Sequence, residues 1–359
     1  MRPAVVELIH VRLPLVRPFV TRRGAATHKE ALLVRVRTAD GVEGWGECAA
    51  EPEPTYAAEH IAGVWTVLHD HLVPRVLAGR PTDEVVGNAM AKAALEMALL
   101  DAMLRAEGTS LARHLGGTRT RVPAGVVVEL YDDPAHAAEV ARGRRAEGYT
   151  RIKLKIAPGR DLAHVDAVRA VIGRETPLWA DANGGYSLDD IDTLRALDVD
   201  LLEQPLRAGD LVDHAELAKA LDTPVCLDES VASVDDARVA LRLGSMDALT
   251  VKAGRLGGLQ AARDVHDLCV AAHVPLWVGG MLETGIGRAA NVALASLPGF
   301  DLPGDLSASR RYFADDLTEP FELDGDGYIA VPDRPGLGVS IDEAFVRAMS
   351  LRSECLTDR

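Results

Sequence analysis

Apolar and polar positions alternate in two styles along this chain, and the style changes near residue 120. In the first part, ALLVRVRT alternates apolar with polar residues, Asp40-Gly41 supplies a turn, and VEGWGE follows. Together these predict a β-hairpin. Two helical stretches follow, around residues 56–77 and 82–107. In the second, Ala94, Met97, Ala98, Leu100, Asp101 and Leu104 recur at helical spacing. LGGTRTRVP then breaks the pattern. Residues 1–120 are therefore expected to form an α+β capping domain.

From Val122 the pattern becomes strand, helix, strand, helix. The strand candidates are PAGVVVEL, RIKLKI, PLWAD, VDLLEQP, PVCLDES, ALTVKAG, PLWVGG and, least clearly, the run near DLPGDL. Eight short apolar strands separated by helical stretches predict a closed parallel α/β barrel, a TIM-type fold, over residues 121–315. An open doubly wound sheet would want GxGxxG after its first strand, and Gly254-Arg255-Leu256-Gly257-Gly258 lacks that spacing. Residues 316–359, including YIAVPDRPGLGVSID, are expected to return to the first domain.

Five charged residues recur near the ends of these strands: Lys155, Asp181, Glu203, Asp228 and Lys252, separated by 26, 22, 25 and 24 positions. Strand ends are where such a barrel gathers its catalytic groups. Singly, each has a plainer explanation: Asp181-Ala182-Asn183-Gly184 as a turn, Glu203 as an exposed strand end, Asp228-Glu229-Ser230 as a helix N-cap. Jointly, three acids ending successive barrel strands would repel one another unless a cation compensates them. Carboxylate oxygens without nearby Cys or His favour Mg²⁺ or Mn²⁺ over zinc. Asn183 and Glu229 are placed to orient those ligands.

Lys153 and Lys155 lie two apart on one strand, so they share a face. With Ile152, Leu154 and Ile156 on the other face, both lysines are expected to point into the barrel. Burying two ammonium groups side by side should lower the pKa of at least one, making a competent base near neutral pH. Lys252, four strands on, would stand on the opposite wall. A carbon between them could lose its proton to one lysine and regain it from the other. The metal would stabilise the carboxylate as it becomes an enediolate.

Composition narrows the setting. Apolar content of 48% and charged content of 26% are ordinary for a globular enzyme. A net charge of −15 argues against a nucleic-acid or anionic-membrane surface. The longest uncharged stretch, Leu268 to Leu282, is too short and broken to span a bilayer. Cys48, Cys226, Cys269 and Cys355 show no paired spacing, and no secretory signal is evident, so reduced thiols in a cytoplasm are expected. No HExxH or GxSxG occurs, and His136 and His164, in predicted helices, are expected at the surface.

At these residues the chain resembles the enolase superfamily, in its muconate-cycloisomerase-like subgroup. It is most similar there to the o-succinylbenzoate synthase/N-acylamino acid racemase family. The resemblance rests on EGYTRIKLKIAPG, the DAN at Asp181, EQP at Glu203, LDES at Asp228, KAGRLGGL, and GGMLETGIGRAANVALASLPGFDLPGDLSASRRYF. It covers essentially the whole chain and implies a capping α+β domain, a (β/α)₇β barrel and a C-terminal return. It also implies Lys155 and Lys252 as catalytic lysines with Lys153 beside them, and Asp181, Glu203 and Asp228 as ligands to Mg²⁺, with Mn²⁺ or Co²⁺ as substitutes. A lysine base acting with Mg²⁺ on an enediolate is that superfamily's known chemistry. Arg255 matches an arginine associated with racemising members. Gly279, Gly280, Met281 and Glu283 match a substrate-contacting segment, and Phe19 and Val127 are further substrate contacts. The implied substrate is a small carboxylate, and the implied assembly a homo-oligomer, either dimer or octamer.

The chain departs from that pattern at Val127, Glu129, Thr250 and Ala253, which are expected to reshape the acyl pocket. Glu129 is expected either to face solvent or to favour a cationic or hydrogen-bonding distal group. A dipeptide epimerase should carry an acidic DxD-type motif where this chain has Gly279-Gly280-Met281. Sugar-acid dehydratases use a His–Asp dyad in place of Lys252. A non-catalytic metal-binding barrel would have lost a ligand or a lysine, and none is missing.

Overall fold

In a computed structural model that describes residues 2–21 and 24–358, two sheets carry the architecture. The first is antiparallel, in the order β13-β1-β2-β3. It comprises β1 (Val5–Thr21), β2 (Gly24–Arg37), β3 (Glu43–Cys48) and β13 (Ser350–Thr357). The expected hairpin is β2–β3, with Arg37 opposite Glu43. The long β1 was not foreseen. The helix Ala89–Glu107 packs on β3 without a gap. A Cβ at Gly44 or Gly46 would approach the carbonyls of Ala98 or Ala94 to 2.2 and 2.1 Å, so only glycine permits the approach. The first helical stretch begins later than expected, at Ile61, and the second at Ala89.

A short ribbon, β4 (Arg121–Pro123) with β12 (Tyr328–Ala330), links this layer to the second sheet. That sheet is parallel. Its strands are β5 (Gly125–Val128), β6 (Arg151–Lys155), β7 (Leu178–Asp181), β8 (Leu201–Glu203), β9 (Val225–Leu227), β10 (Ala248–Val251) and β11 (Leu276–Val278), in sequential order. DLPGDL forms no eighth strand, because Pro303 lacks an N–H and the segment touches each neighbour only briefly. Gly304 nevertheless accepts from the Gly125 N–H at 2.8 Å, and the Asp305 N–H donates to Val278 at 3.0 Å. Those two bonds bridge β5 and β11 and close a (β/α)₇β barrel.

The barrel floor is largely apolar. Trp179, Leu201, Cys226, Ala248 and Trp277 form a separate apolar cluster inside it. Apart from Arg151, which stacks on Trp179 and Trp277, the charged side chains of the barrel interior gather above that layer. Among the described residues no helix is long and apolar enough to cross a membrane.

Candidate active site

Alternation along β6 sends Arg151, Lys153 and Lys155 inward at successive depths. Arg151 lies lowest, 4.2 Å from the Trp179 ring, and donates to Asp305 at 2.9 Å. Lys153 is only 2% exposed, and its Nζ sits 2.5 Å from Asp305, 2.7 Å from Glu203 and 3.4 Å from Asp181. Lys155, 9% exposed, donates to Asp181 at 2.6 Å and to Asn183 at 2.8 Å. Asn183 in turn donates to Glu229 at 3.1 Å.

Lys252 follows β10, four strands from β6, and reaches the same space from the far wall. It donates to Asp228 at 2.8 Å and to the Tyr56 hydroxyl at 3.2 Å. Arg255 takes the other Asp228 oxygen at 2.6 Å and shares Tyr56 at 2.5 Å. A Cβ at Gly279 would meet Thr250 at 2.5 Å and Lys252 Cε at 2.8 Å, so glycine leaves the lane through which this lysine extends. The buried Gln204 side chain accepts from the Asp228 and Ser230 N–H groups at 2.9 and 3.1 Å, which holds the loop carrying Asp228 in place.

Lys153 is not depressed by its neighbour. Burial does penalise its charge, but Asp305, Glu203 and Asp181 outweigh that and hold it well above the usual lysine range. Lys252 is likewise raised against burial, chiefly by Asp228. Burial, then repulsion from Asp181, pushes the Glu203 carboxyl up to about 8. One ammonium shared among three acids neutralises none of them completely. Burial opposes ionisation of Asp305 too, but Lys153 and Arg151 bring it to about 2.

Each predicted metal ligand is turned onto a cation of the protein. Among the described residues, no three acidic, His or Cys side chains stand together as a ready ligand shell. The donor set still fits a hard divalent ion. It offers only oxygen, the three acids end adjacent strands, and Glu203 is repelled by both Asp181 and Asp228.

Lys153, Lys155, Asp181, Asn183, Lys252 and Asp305 line a cavity of about 510 Å³ between the barrel mouth and the antiparallel sheet, whereas Arg255 and Gly279, expected as substrate contacts, do not line it. Phe19, Val127, Gly280, Met281 and Glu283 line it. Phe19 and residues 24–27, which flank the tip of the β1–β2 hairpin, also border the cavity; Arg22 and Arg23 lie outside the described residues. The pairing shifts between Pro14 and Phe19, and the Val16 N–H bonds Tyr312 at 2.9 Å, which leans the tip over the barrel. Glu283 uses both oxygens at home, accepting from the Met281 N–H and from Asn291, each at 2.9 Å. It shapes the Gly280–Leu282 loop.

Other residues lie elsewhere than expected. Glu129 neither faces solvent nor lines the cavity. It is 8% exposed and paired with Arg311 at 2.8 Å, with Tyr131 donating at 3.1 Å. Its charge is answered inside the protein, so it has none to offer a ligand. Thr250 sits below the acids, 3.4 Å from Glu203, and Ala253 opens the short helix Ala253–Leu256; neither lines the cavity. His164 is buried against the Tyr131 carbonyl at 3.0 Å, whereas His136 is exposed. Asp305 and Arg151 went unnoticed as site residues, although the RIKLK alternation already put Arg151 on the lysine face.

One further acid clamps the two sheets' layers together. Glu47, at the end of β3, accepts from Thr284 N, Thr284 Oγ1 and Gly287 N at 3.0, 2.7 and 2.8 Å, capping the barrel helix Gly285–Ala295. Burial raises its carboxyl from 4.5 to about 7. A raised folded pKa means that the native state binds the proton more tightly. Its stabilising contribution is then full below pH 4.5 and lost as pH rises through about 7. Thermal melts of wild type and Glu47→Gln should therefore lie closest together below pH 4.5, where the wild-type side chain is neutral like Gln, and separate as pH rises through about 7, with wild type losing stability relative to the variant.

The comparisons with known proteins bear on this arrangement. Residues 4–116 match the family described as mandelate racemase/muconate lactonizing enzyme, N-terminal domain, and residues 135–345 match the enolase C-terminal domain-like family. The chain is 48% identical to an N-succinylamino acid racemase from Amycolatopsis sp, across 95% of each protein. It is 43% identical to the o-succinylbenzoate synthase of Bacillus subtilis, across 98% of each. The crystal structure of an enolase-superfamily member from Listeria innocua superposes with a TM-score of 0.95 at 35% identity, covering 100% of both chains.

Proposed function

Because the chain belongs to the enolase superfamily, in its mandelate racemase/muconate lactonizing enzyme branch, we propose that it abstracts a proton α to a carboxylate. Its reaction is o-succinylbenzoate synthesis, N-succinylamino acid racemisation, or both, as the names of its relatives suggest. One observation carries this reading. Lys155 and Lys252, each 9% exposed, enter a single cavity from strands four apart in a closed ring.

Asp181, Glu203 and Asp228 would hold Mg²⁺, or Mn²⁺ or Co²⁺ in its place. When bound, such an ion stabilises the negative charge that develops on the substrate carboxylate. Lys155, oriented by Asp181 and Asn183, takes the α-proton from one face of the carbon. In racemisation Lys252 returns a proton to the opposite face. In the synthase reaction Lys155 passes its proton to the departing hydroxide, which leaves as water. Lys252, held positive by Asp228, supports the charge meanwhile.

The test is a paired assay with Mg²⁺ or Mn²⁺. One arm follows dehydration of the cyclohexene-carboxylate precursor of o-succinylbenzoate. The other follows α-proton exchange of N-succinyl and N-acetyl amino acids in D₂O. Activity in either arm supports the proposal, and inactivity in both overturns it.

A further inference from the structure

The two facing lysines are supported differently. Lys155 is oriented by Asp181 and Asn183, both carried by the barrel itself. Lys252 heads a turn that leans on the capping layer. It precedes the short helix Ala253–Leu256, and the Leu256 N–H donates back to the Lys252 carbonyl at 3.1 Å. The Gly258 N–H donates to the Ala253 carbonyl at 2.9 Å. Residues 252–258 thus form one hydrogen-bonded unit, and the barrel helix Leu259–Ala271 begins where it ends.

That helix has no cap of its own. Its N-cap is Gly258, which has no side chain to accept from the first N–H groups. Glu96, in the middle of the helix Ala89–Glu107, supplies the acceptor instead. One carboxylate oxygen accepts from the Leu259 N–H at 2.6 Å and the other from the Gln260 N–H at 3.1 Å. A Cβ at position 258 would stand 1.9 Å from the first of these oxygens and push it off the helix end. Burial pushes the Glu96 carboxyl up, and the two bonds act against that. The carboxylate also meets the positive end of the helix dipole. Drawing the cap from another layer ties the turn that carries Lys252 and Arg255 to the helix Ala89–Glu107. Asp228 and Tyr56 hold the Lys252 ammonium, whereas Glu96 holds the backbone from which it extends.

Resting on the proton-transfer reading, we propose that Glu96 is a positioning residue for Lys252. By gripping the start of the helix Leu259–Ala271 it fixes where the far-wall lysine stands relative to the substrate carbon. The capping layer thereby sets one of the two proton-transfer faces, and the barrel alone sets the other.

The test follows initial α-proton exchange of each enantiomer of an N-succinyl amino acid in D₂O with Mg²⁺. Lys252→Ala identifies the enantiomer that depends on Lys252, since the other still exchanges. Glu96→Ala should slow that enantiomer relative to its mirror image by about 10-fold or more, because displacing a reacting group by about 1 Å can cost on the order of 100-fold. The loss should fall on kcat rather than KM. Glu96→Gln keeps the shape and one acceptor oxygen, so its ratio should lie between those of wild type and Glu96→Ala. A general disturbance of the fold slows both enantiomers alike, and each ratio is internal to one variant. If both enantiomers slow together in Glu96→Ala, or neither does, the positioning role is overturned and proton transfer stands. Should Glu96→Ala not fold, a wild-type ratio in Glu96→Gln overturns the role and a raised one supports it. Exchange of neither enantiomer by wild type also overturns it, and absence of dehydration as well overturns the underlying reading.

Discussion

Lys155→Ala is expected to lower both α-proton exchange and dehydration by about 10³-fold or more, the range attributed to a positioned general base. The expectation follows from placement. Lys155 is the lysine held by Asp181 and Asn183 at the strand end, whereas Lys153 below it is tied to Asp305 and Glu203 and cannot substitute. Lys252→Ala should divide the chemistry differently. The enantiomer whose proton faces Lys155 should still exchange with D₂O, but without inversion, since the opposite wall no longer returns a proton. Proton NMR with chiral analysis of the recovered substrate distinguishes these outcomes. Full dehydration by Lys155→Ala would overturn the assignment of the base.

Asp228→Asn should be the most destabilising change in the site, by about 3 kcal/mol in a chelator-containing buffer. It strips the counter-charge from two buried cations at once, and breaking a buried pair typically costs about 3–5 kcal/mol. Burial opposes ionisation of Asp228, yet Arg255 and Lys252 outweigh it and hold the carboxyl well below its ordinary value of 3.8. A depressed folded pKa contributes stability that is present above the unfolded pKa and lost as pH falls through the lower folded value. The gap between wild type and variant should therefore be constant from pH 5 to 8 and narrow only below about 3.8. Denaturant melts across that range test this. A gap already closing at pH 6 would show that Asp228 is not held by its cations.

Much of this was legible in the chain because barrel strands are buried on both faces and read as short apolar runs with charge at their ends. Thus β6 to β10 and the residues that cap them could be found by spacing alone. The eighth segment was faint because Gly304 and Asp305 close the ring through two backbone bonds, with no apolar run. That faintness also hid Asp305, the acid nearest Lys153. Glu129 misled because strand position predicts which way a side chain points but not whether a distant Arg311 answers it. Lys29 and Arg288, which also line the cavity, were missed for a related reason: they meet it from the capping layer or a barrel helix, and no periodicity links them to the strands. The pKa of Lys153 depended on counting its carboxylate neighbours, which only the assembled barrel supplies.

The antiparallel sheet sets one more condition. Val5 of β1 pairs with Thr357 of β13, so the outer edge of the first-made sheet waits for a segment synthesised after the entire barrel. On the ribosome, β1 must then pass most of its synthesis with that edge bare, a period open to mispairing with other nascent chains. Pairing across so long a loop also slows assembly. The hairpin tip that overhangs the cavity belongs to that same sheet, so catalytic competence should be among the last properties a newly made molecule acquires.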